Sequence, residues 1–220
     1  MSGIIFDLDG TLIDSAPDIH AGMAEVFRTH GLAPLPFEMV RGFIGNGVSV
    51  LVSRCIRAAG LEETEALHAK MAGQFHDIYE TAVNLTTLYP NVGETLQTLR
   101  SDGFHLGLCT NKPEAPTLAV LKHFGIERLF DAFAFGDGPY PHKPDPAPVR
   151  HVVDGLPARS FLYVGDSETD AETAQRAKLP MAIFTQGYRK TPIEQLYHDA
   201  HFDDFAELRP IIDRLAPLPE

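Results

Sequence analysis

The chain has 220 residues, 44% of them hydrophobic, enough for a substantial core or for one domain carrying a sizeable insert. Lys and Arg number 18 against 30 Asp and Glu, a net charge of −12 that repels nucleic acid and anionic lipid, so neither is expected as a partner. An anionic ligand would need a metal or a few placed cations to neutralise it locally.

The first residues, MSGIIFDLDG, carry a short apolar run, GIIF (3–6), that breaks at Asp7. No basic region precedes it and no run of membrane length follows. The expectation is therefore a chain without signal peptide or membrane span, in the cytoplasm. From Ser15 to Leu85 no segment reads convincingly as a strand. PDIHAGMAEVFRTHG (17–31), GVSVLVSRCIRAAG (47–60) and EETEALHAKMAGQFHDIYETAV (62–83) have helical periodicity. Beyond that block, strands and helices alternate. VGETLQTLR (92–100) follows Asn91, a good N-cap, and precedes the strand HLGLC (105–109). PEAPTLAVLKHF (113–124) opens with Pro113, suited to a first helical position, and stops at Gly125. Then come AFAF (132–135), FLYV (161–164), the helix SETDAETAQRAK (167–178) and MAIF (181–184).

Short apolar runs alternating with helices predict an α/β fold with a Rossmann-like parallel sheet. The core is expected over 1–14 and 86–220, with an inserted α-helical domain over 15–85. Cys55 and Cys109 have no metal-like spacing and read as buried thiols of a reducing compartment. The Pro-rich stretch PYPHKPDPAP (139–148) places Lys143 in a loop before the 161–164 strand.

In an extended strand, residues i and i+2 project to the same side, so Asp7 and Asp9 are expected to aim at one point. Parallel strands open their ligand crevice at their carboxyl ends. Two carboxylates converging there need a cation between them or a shared proton, and a hard divalent ion fits, Mg²⁺ being the abundant choice. Alone, Asp-Gly-Thr is equally a turn with a helix cap. The other strand ends add to it: HLGLC runs into Thr110-Asn111, and FLYV into Gly165-Asp166 with Asp170 four residues on. Singly, Thr110 reads as an ordinary cap, Lys143 as a solvated lysine, and Asp166 and Asp170 as acids favoured at a helix N-terminus. Jointly, in this order, they read as one metal-assisted phosphate site.

Asp7-Leu8-Asp9-Gly10-Thr11, Thr110, Lys143 and Gly165-Asp166 with Asp170 resemble, in sequence order, the motifs of the haloacid dehalogenase-like hydrolase superfamily. The resemblance implies that Asp7 is a nucleophile that becomes an aspartyl phosphate and that Asp9 is the acid for the leaving group, then the base for water. It implies Mg²⁺ held by Asp7, the backbone carbonyl of Asp9 and Asp166. Thr110 and the Asn111 backbone would hold the phosphoryl group, Lys143 would stabilise its charge, and Asp170 would position Lys143 or the metal's waters. Dehalogenases of the superfamily lack the aspartate at position 9, so Asp9 argues for phosphate esters. The helical block looks like the family's cap.

Further stretches, including FDLDGTLIDSAPDI, GFIGNGVSVLV, TNKPE, KPDPAP and YVGDSETDAETA, are similar to bacterial phosphoglycolate phosphatases. That similarity implies hydrolysis of 2-phosphoglycolate, a small phosphate ester, by a monomer or small homo-oligomer. A phosphosugar mutase like β-phosphoglucomutase, or a phosphatase for another small ester, would use the same core. A phosphoaspartate signalling receiver lacks the acid at i+2 and the helical insert.

Within the helical block, Gly45-Asn46-Gly47 precedes a helix whose N-terminus can receive an anion such as the substrate carboxylate, and Arg41 can add charge. A plain interhelical turn beside a solvated arginine is the equal alternative. His20 reads as a solvent-facing or core residue. The links near 14–17 and 84–88 are candidate hinges.

Overall fold

The computed structural model describes residues 1–218. Strand β1 (Ser2–Phe6) leads through the two-residue β2 (Ile13–Asp14) into helices α1 (Ala16–Thr29), α2 (Phe37–Arg41), α3 (Val48–Ala58) and α4 (Glu65–Tyr79). The chain returns at β3 (Thr87–Leu88), which pairs antiparallel with β2. Then follow α5 (Val92–Ser101), β4 (His105–Cys109), α6 (Glu114–His123), β5 (Ala132–Ala134), α7 (Ala147–Gly155) and β6 (Ser160–Gly165). The described chain ends with α8 (Glu168–Ala177), β7 (Met181–Phe184), β8 (Ala200–Phe202) and α9 (Leu208–Leu215).

The main sheet has six strands in the order β5-β4-β1-β6-β7-β8, every neighbouring pair parallel. Its burial explains why β1 reads as an unbroken apolar run. Ile4 and Phe6 pack with Leu106, Leu162, Leu96 and Ile212 on one face, while Ile5 packs with Val149, Val152 and Ala174 on the other. Both faces of every pleat are covered, as a period-two strand between helical layers requires. The chain leaves β1 toward β4 and β5 on one side and later builds β6, β7 and β8 on the other. The carboxyl ends of β1, β4 and β6 therefore meet where the strand order reverses.

Every element between β2 and β3 is a helix. The four helices hold an apolar cluster of their own: Ile19, Met23, Val26 and Phe27 of α1 meet Val52, Cys55 and Ile56 of α3 and Met71, Phe75 and Tyr79 of α4. These spacings of three and four residues put each set on one helical stripe. Among the described residues, no helix is long and apolar enough to cross a membrane.

The five strands and the long helices expected from the sequence agree with the structure to within a few residues, while β2, β3 and β8 are additional, and the differences have local causes. Asn91 does stand at the N-cap of α5, but in the left-handed region at φ 63°, with its side chain on Asp204 rather than on the helix. Pro113 precedes α6 instead of opening it. The helix expected over 62–83 is shorter, and Thr64 Oγ1 caps it by accepting from Leu67 N. Helix α7 begins inside the Pro-rich stretch, where Pro148 sits in the first turn and its missing N–H would be unpaired anyway. Strand β8 has three residues, of which Phe202 is the buried one, too short to show a period.

Candidate active site

Asp7 follows β1 directly, its N–H donating to Val164 O of β6. Gly10, at φ +88°, then turns the chain, and Thr11, Leu12 and Ile13 N–H all donate back to Leu8 O. A side chain at Gly10 would come within 2.5 Å of Asp166 Oδ2, so the turn needs glycine for conformation and for space alike. The turn carries Thr11 Oγ1 to 3.0 Å from Asp166 Oδ1, while Tyr188 N donates to Oδ2. Asp166 stands at the end of β6, held on both oxygens.

Lys143 is buried and its Nζ lies 2.7 Å from both Asp7 Oδ1 and Asp170 Oδ1. It also donates to Tyr163 Oη, which donates in turn to Asp170 Oδ1. Asp170 Oδ2 accepts from Asp166 N, Ser167 N and Ser167 Oγ at the start of α8. Burial alone would push Asp170 up, yet the charge of Lys143 and these hydrogen bonds outweigh it and hold its carboxyl below the ordinary range. Burial would likewise lower Lys143, but Asp170 and Asp7 together raise it, so it is cationic.

Asp7, Asp166 and Asp170 each bring a carboxylate oxygen within 4.8 Å of the others. One lysine does not balance them. Burial, then the charge of Asp170, pushes Asp7 up to about 7 against the pull of Lys143. Burial, then Asp170 and Asp7, pushes Asp166 well above the ordinary carboxylate range. Hard oxygen donors carrying surplus negative charge fit a divalent cation such as Mg²⁺. Of the three, Asp170 is already committed to Lys143 and the start of α8 on both oxygens, which leaves Asp7 and Asp166 as the pair that would hold the ion.

A cleft between the sheet edge and the helical block is lined by Asp7, Asp9, Thr110, Asn111 and Lys112 below and by Ile19, Gly47, Leu51, Phe75 and Tyr79 above, among others. Asp7 and Asp9 thus face one space, as their spacing predicts. Asp9 Oδ1 accepts from Ser15 Oγ at 2.6 Å and from Lys112 Nζ at 3.1 Å. Thr110 caps the end of β4, its N–H on Ala134 O and its Oγ1 accepting from Lys112 N. The Asn111 side chain bridges the two halves, donating to Gly45 O and Lys143 O and accepting from Lys143 N.

The expected anion site of the helical block is built differently. Gly47, at φ +85°, lines the cleft as the N-cap of α3. Asn46 instead sends Nδ2 to Thr169 Oγ1 on α8. Arg41 donates to Gly187 O and lies 5.3 Å from the Tyr188 ring, so neither side chain is among those lining the cleft. Two glycines set the path of the backbone and leave the side chains between and before them free to bond the core. His20 bonds Leu35 O and stacks edge-on against Phe37, away from the chemistry.

Lys112, Tyr163 and Tyr188 were not foreseen. Lys112 sits two residues after Thr110, a visible spacing whose meaning depends on burial. Tyr163 looks like one more apolar strand residue, and Tyr188 finds its partners across the chain: its Oη accepts from Ser15 N and Ala16 N and donates to Asp14.

Comparisons with known proteins bear on the family of the chain. A family model described as haloacid dehalogenase-like hydrolase matches residues 4–184. A phosphoglycolate phosphatase of Cereibacter sphaeroides is 44% identical over 216 residues, spanning 98% of this chain and 99% of that protein. One of Haemophilus influenzae is 37% identical, spanning 94% and 96%. The crystal structure of a protein described as a predicted phosphoglycolate phosphatase from Haemophilus somnus matches with a TM-score of 0.88 at 35% identity, over 94% of this chain and 96% of that one. Motif order, parallel sheet and family match coincide, and the chain belongs to the haloacid dehalogenase-like hydrolase family.

Proposed function

We propose that this chain is a phosphoric monoester hydrolase that cleaves 2-phosphoglycolate to glycolate and phosphate through an aspartyl phosphate on Asp7. The observation that carries the reading is the pair of acids on one cleft: Asp7 held by Lys143 at 2.7 Å, and Asp9 facing the same space while bonded to Ser15 and Lys112. The substrate comes from the names of the relatives, which share nearly the whole chain.

Asp7 attacks phosphorus, and the bond to the leaving oxygen breaks as the new one forms. Lys143 fixes the attacking carboxylate and offsets the charge of the phosphoryl oxygens, and the Thr110 hydroxyl with the Asn111 backbone orients them. Asp9 gives the departing glycolate oxygen its proton, then takes one from the water that attacks the phosphoaspartate. Asp170 keeps Lys143 in place and cationic. Mg²⁺ held by Asp7, Asp166 and the Asp9 carbonyl would shield the phosphate from the attacking carboxylate.

The helical block, residues 15–85, serves as a cap that hinges on the two links. Asp18 supports this reading by tying them together, its Oδ2 accepting from Leu85 N, Thr86 N and Thr86 Oγ1. Its apolar face over the cleft is suited to excluding water from the first step. A cytoplasmic setting accords with two buried, free thiols.

The test is phosphate release from a panel of phosphomonoesters, with and without Mg²⁺, for wild type and Asp7→Asn. Mg²⁺-dependent release that favours 2-phosphoglycolate and is abolished by the substitution is the expected result. Even activity over sugar phosphates removes the substrate from the proposal and keeps the chemistry.

A further inference from the structure

We infer that Lys112 reads the carboxylate of the substrate and so sets the preference for an ester whose leaving group carries an acid. The inference rests on the phosphatase reading above and names the residue behind its specificity.

Three observations lead to it. The first is a charge count in the cleft. Among the described residues that line it, Lys112 is the one cation. The helical block contributes Ile19, Ile44, Val48, Leu51, Phe75 and Tyr79 together with two glycines, none of them charged. Arg41 and Asn46, upstream of the α3 N-cap, are bonded to the core at Gly187 and Thr169. Against such a wall an ionised carboxylate loses its water and needs a partner in the site itself.

The second observation is where the ammonium sits. Lys112 is buried, with 4% of its side chain exposed, and its Nζ is 3.1 Å from Asp9 Oδ1. Asp9 faces the leaving oxygen in the proposed mechanism. In 2-phosphoglycolate the carboxylate lies one methylene beyond that oxygen. A substrate that places its ester oxygen at Asp9 brings its carboxylate to the neighbour of Asp9, which is Lys112. The loop that carries Thr110 carries Lys112 as well, with Lys112 N bonded to Thr110 Oγ1. Phosphate and carboxylate are thus measured from a single rigid turn.

The third is the remainder of the ammonium's surroundings. Nζ donates to Tyr79 Oη and lies 4.1 Å from the centre of that ring. Tyr79 ends α4, packed against Phe75 at 4.9 Å, so the helical block presents a hydroxyl and a π face to the lysine rather than a second acid. The ammonium is already stripped of water by its surroundings. A substrate carboxylate joining Asp9 and Tyr79 on it gains a charge-assisted bond without dehydrating it anew.

The experiment compares 2-phosphoglycolate with ethyl phosphate, in which a methyl group replaces the carboxylate. Wild type, Lys112→Gln, Lys112→Met and Lys112→Arg are assayed on both. The quantity read is the ratio of kcat/KM for the two esters, which cancels any shared loss through Asp9. The ratio is expected to fall by roughly tenfold or more in K112Q and K112M, chiefly through KM for 2-phosphoglycolate, and to recover in K112R. K112M keeps the length of the stem and its packing on Tyr79, so it removes charge without removing contact. A ratio unchanged in both uncharged variants while each substrate loses activity alike overturns the inference and leaves the phosphatase reading intact. A wild-type enzyme without preference for 2-phosphoglycolate overturns the substrate itself, and the inference with it.

Discussion

The Lys143 ammonium lies 2.7 Å from Asp170 Oδ1, with both side chains buried. The other oxygen of the same carboxylate holds Asp166 N and the start of α8. One side chain therefore fixes the lysine that meets Asp7 and the strand end that presents Asp166. Asp170→Asn keeps the shape but removes the charge that holds Lys143 between two acids. The expected result is a fall in kcat of roughly 10–100-fold with a smaller change in KM. Asp170→Ala also strands the donors at the α8 N-terminus and is expected to lower stability by about 3 kcal/mol in urea unfolding. A wild-type kcat in the asparagine variant would show that Asp7 alone positions the lysine.

Tyr188 joins the carboxylate site to the first link of the helical block. Its N–H is on Asp166 Oδ2, while its Oη receives Ser15 N at 2.8 Å and Ala16 N at 3.0 Å. Tyr188→Phe leaves the buried Ser15 N–H without an acceptor, and Ala16 N with only its longer bond to Asp14 Oδ1 at 3.3 Å. A loss of about 1–3 kcal/mol is expected in denaturant unfolding. Amide exchange at Ser15 and Ala16 should quicken more than exchange in β1. Uniform quickening across both would place the damage elsewhere.

These contacts mark the boundary of what the sequence makes legible. Parallel strands end at one edge, so Asp7, Thr110 and Asp166 could be brought together from their positions after three apolar runs, and Lys143 joined them through motif order. The side chain of Lys112 has the same chemistry whether solvated or buried, and nothing local distinguishes the two. Tyr188 and Asp14 are 174 residues apart, and no periodicity links them. Helix α7 is hidden because prolines at its start look like a loop, although the first turn tolerates them. For Asn46 between its glycines and Arg41 upstream, an anion site and a plain interhelical turn read equally well from sequence. Glycine governs backbone conformation, and the side chains found better partners on the core.

The glycine at position 10 leads to a prediction about metal. Its φ of +88° is strained for any other residue, and an added methyl would press on Asp166 Oδ2. Gly10→Ala should weaken Mg²⁺ binding by roughly tenfold through displacement of that carboxylate. Calorimetric titration of the protein with Mg²⁺, in the absence of substrate, reads this directly. An unchanged affinity would mean that Asp166 is not among the ligands.

Cys55 tests the interior of the helical block through pH. It is fully buried among Val52, Ile56 and the facing residues of α1 and α4. Burial pushes its thiol up to about 12 from an ordinary 9.0. Between those values the unfolded chain releases a proton that the folded chain keeps. The folded state then binds more protons, so stability falls as pH rises. The contribution is fully present below pH 9.0 and is lost as pH climbs toward about 12. A single group can supply a slope of at most about 1.4 kcal/mol per pH unit. Cys55→Ala removes this slope and costs about 1–2 kcal/mol at neutral pH through lost packing. The stability gap between wild type and variant, followed by urea unfolding at successively higher pH above 8, should therefore close as pH rises. Other alkaline titrations are common to both proteins and cancel in the difference. A gap that stays constant over that range would mean that the Cys55 thiol ionises alike in the folded and unfolded chains, and that water reaches the interior of the helical block.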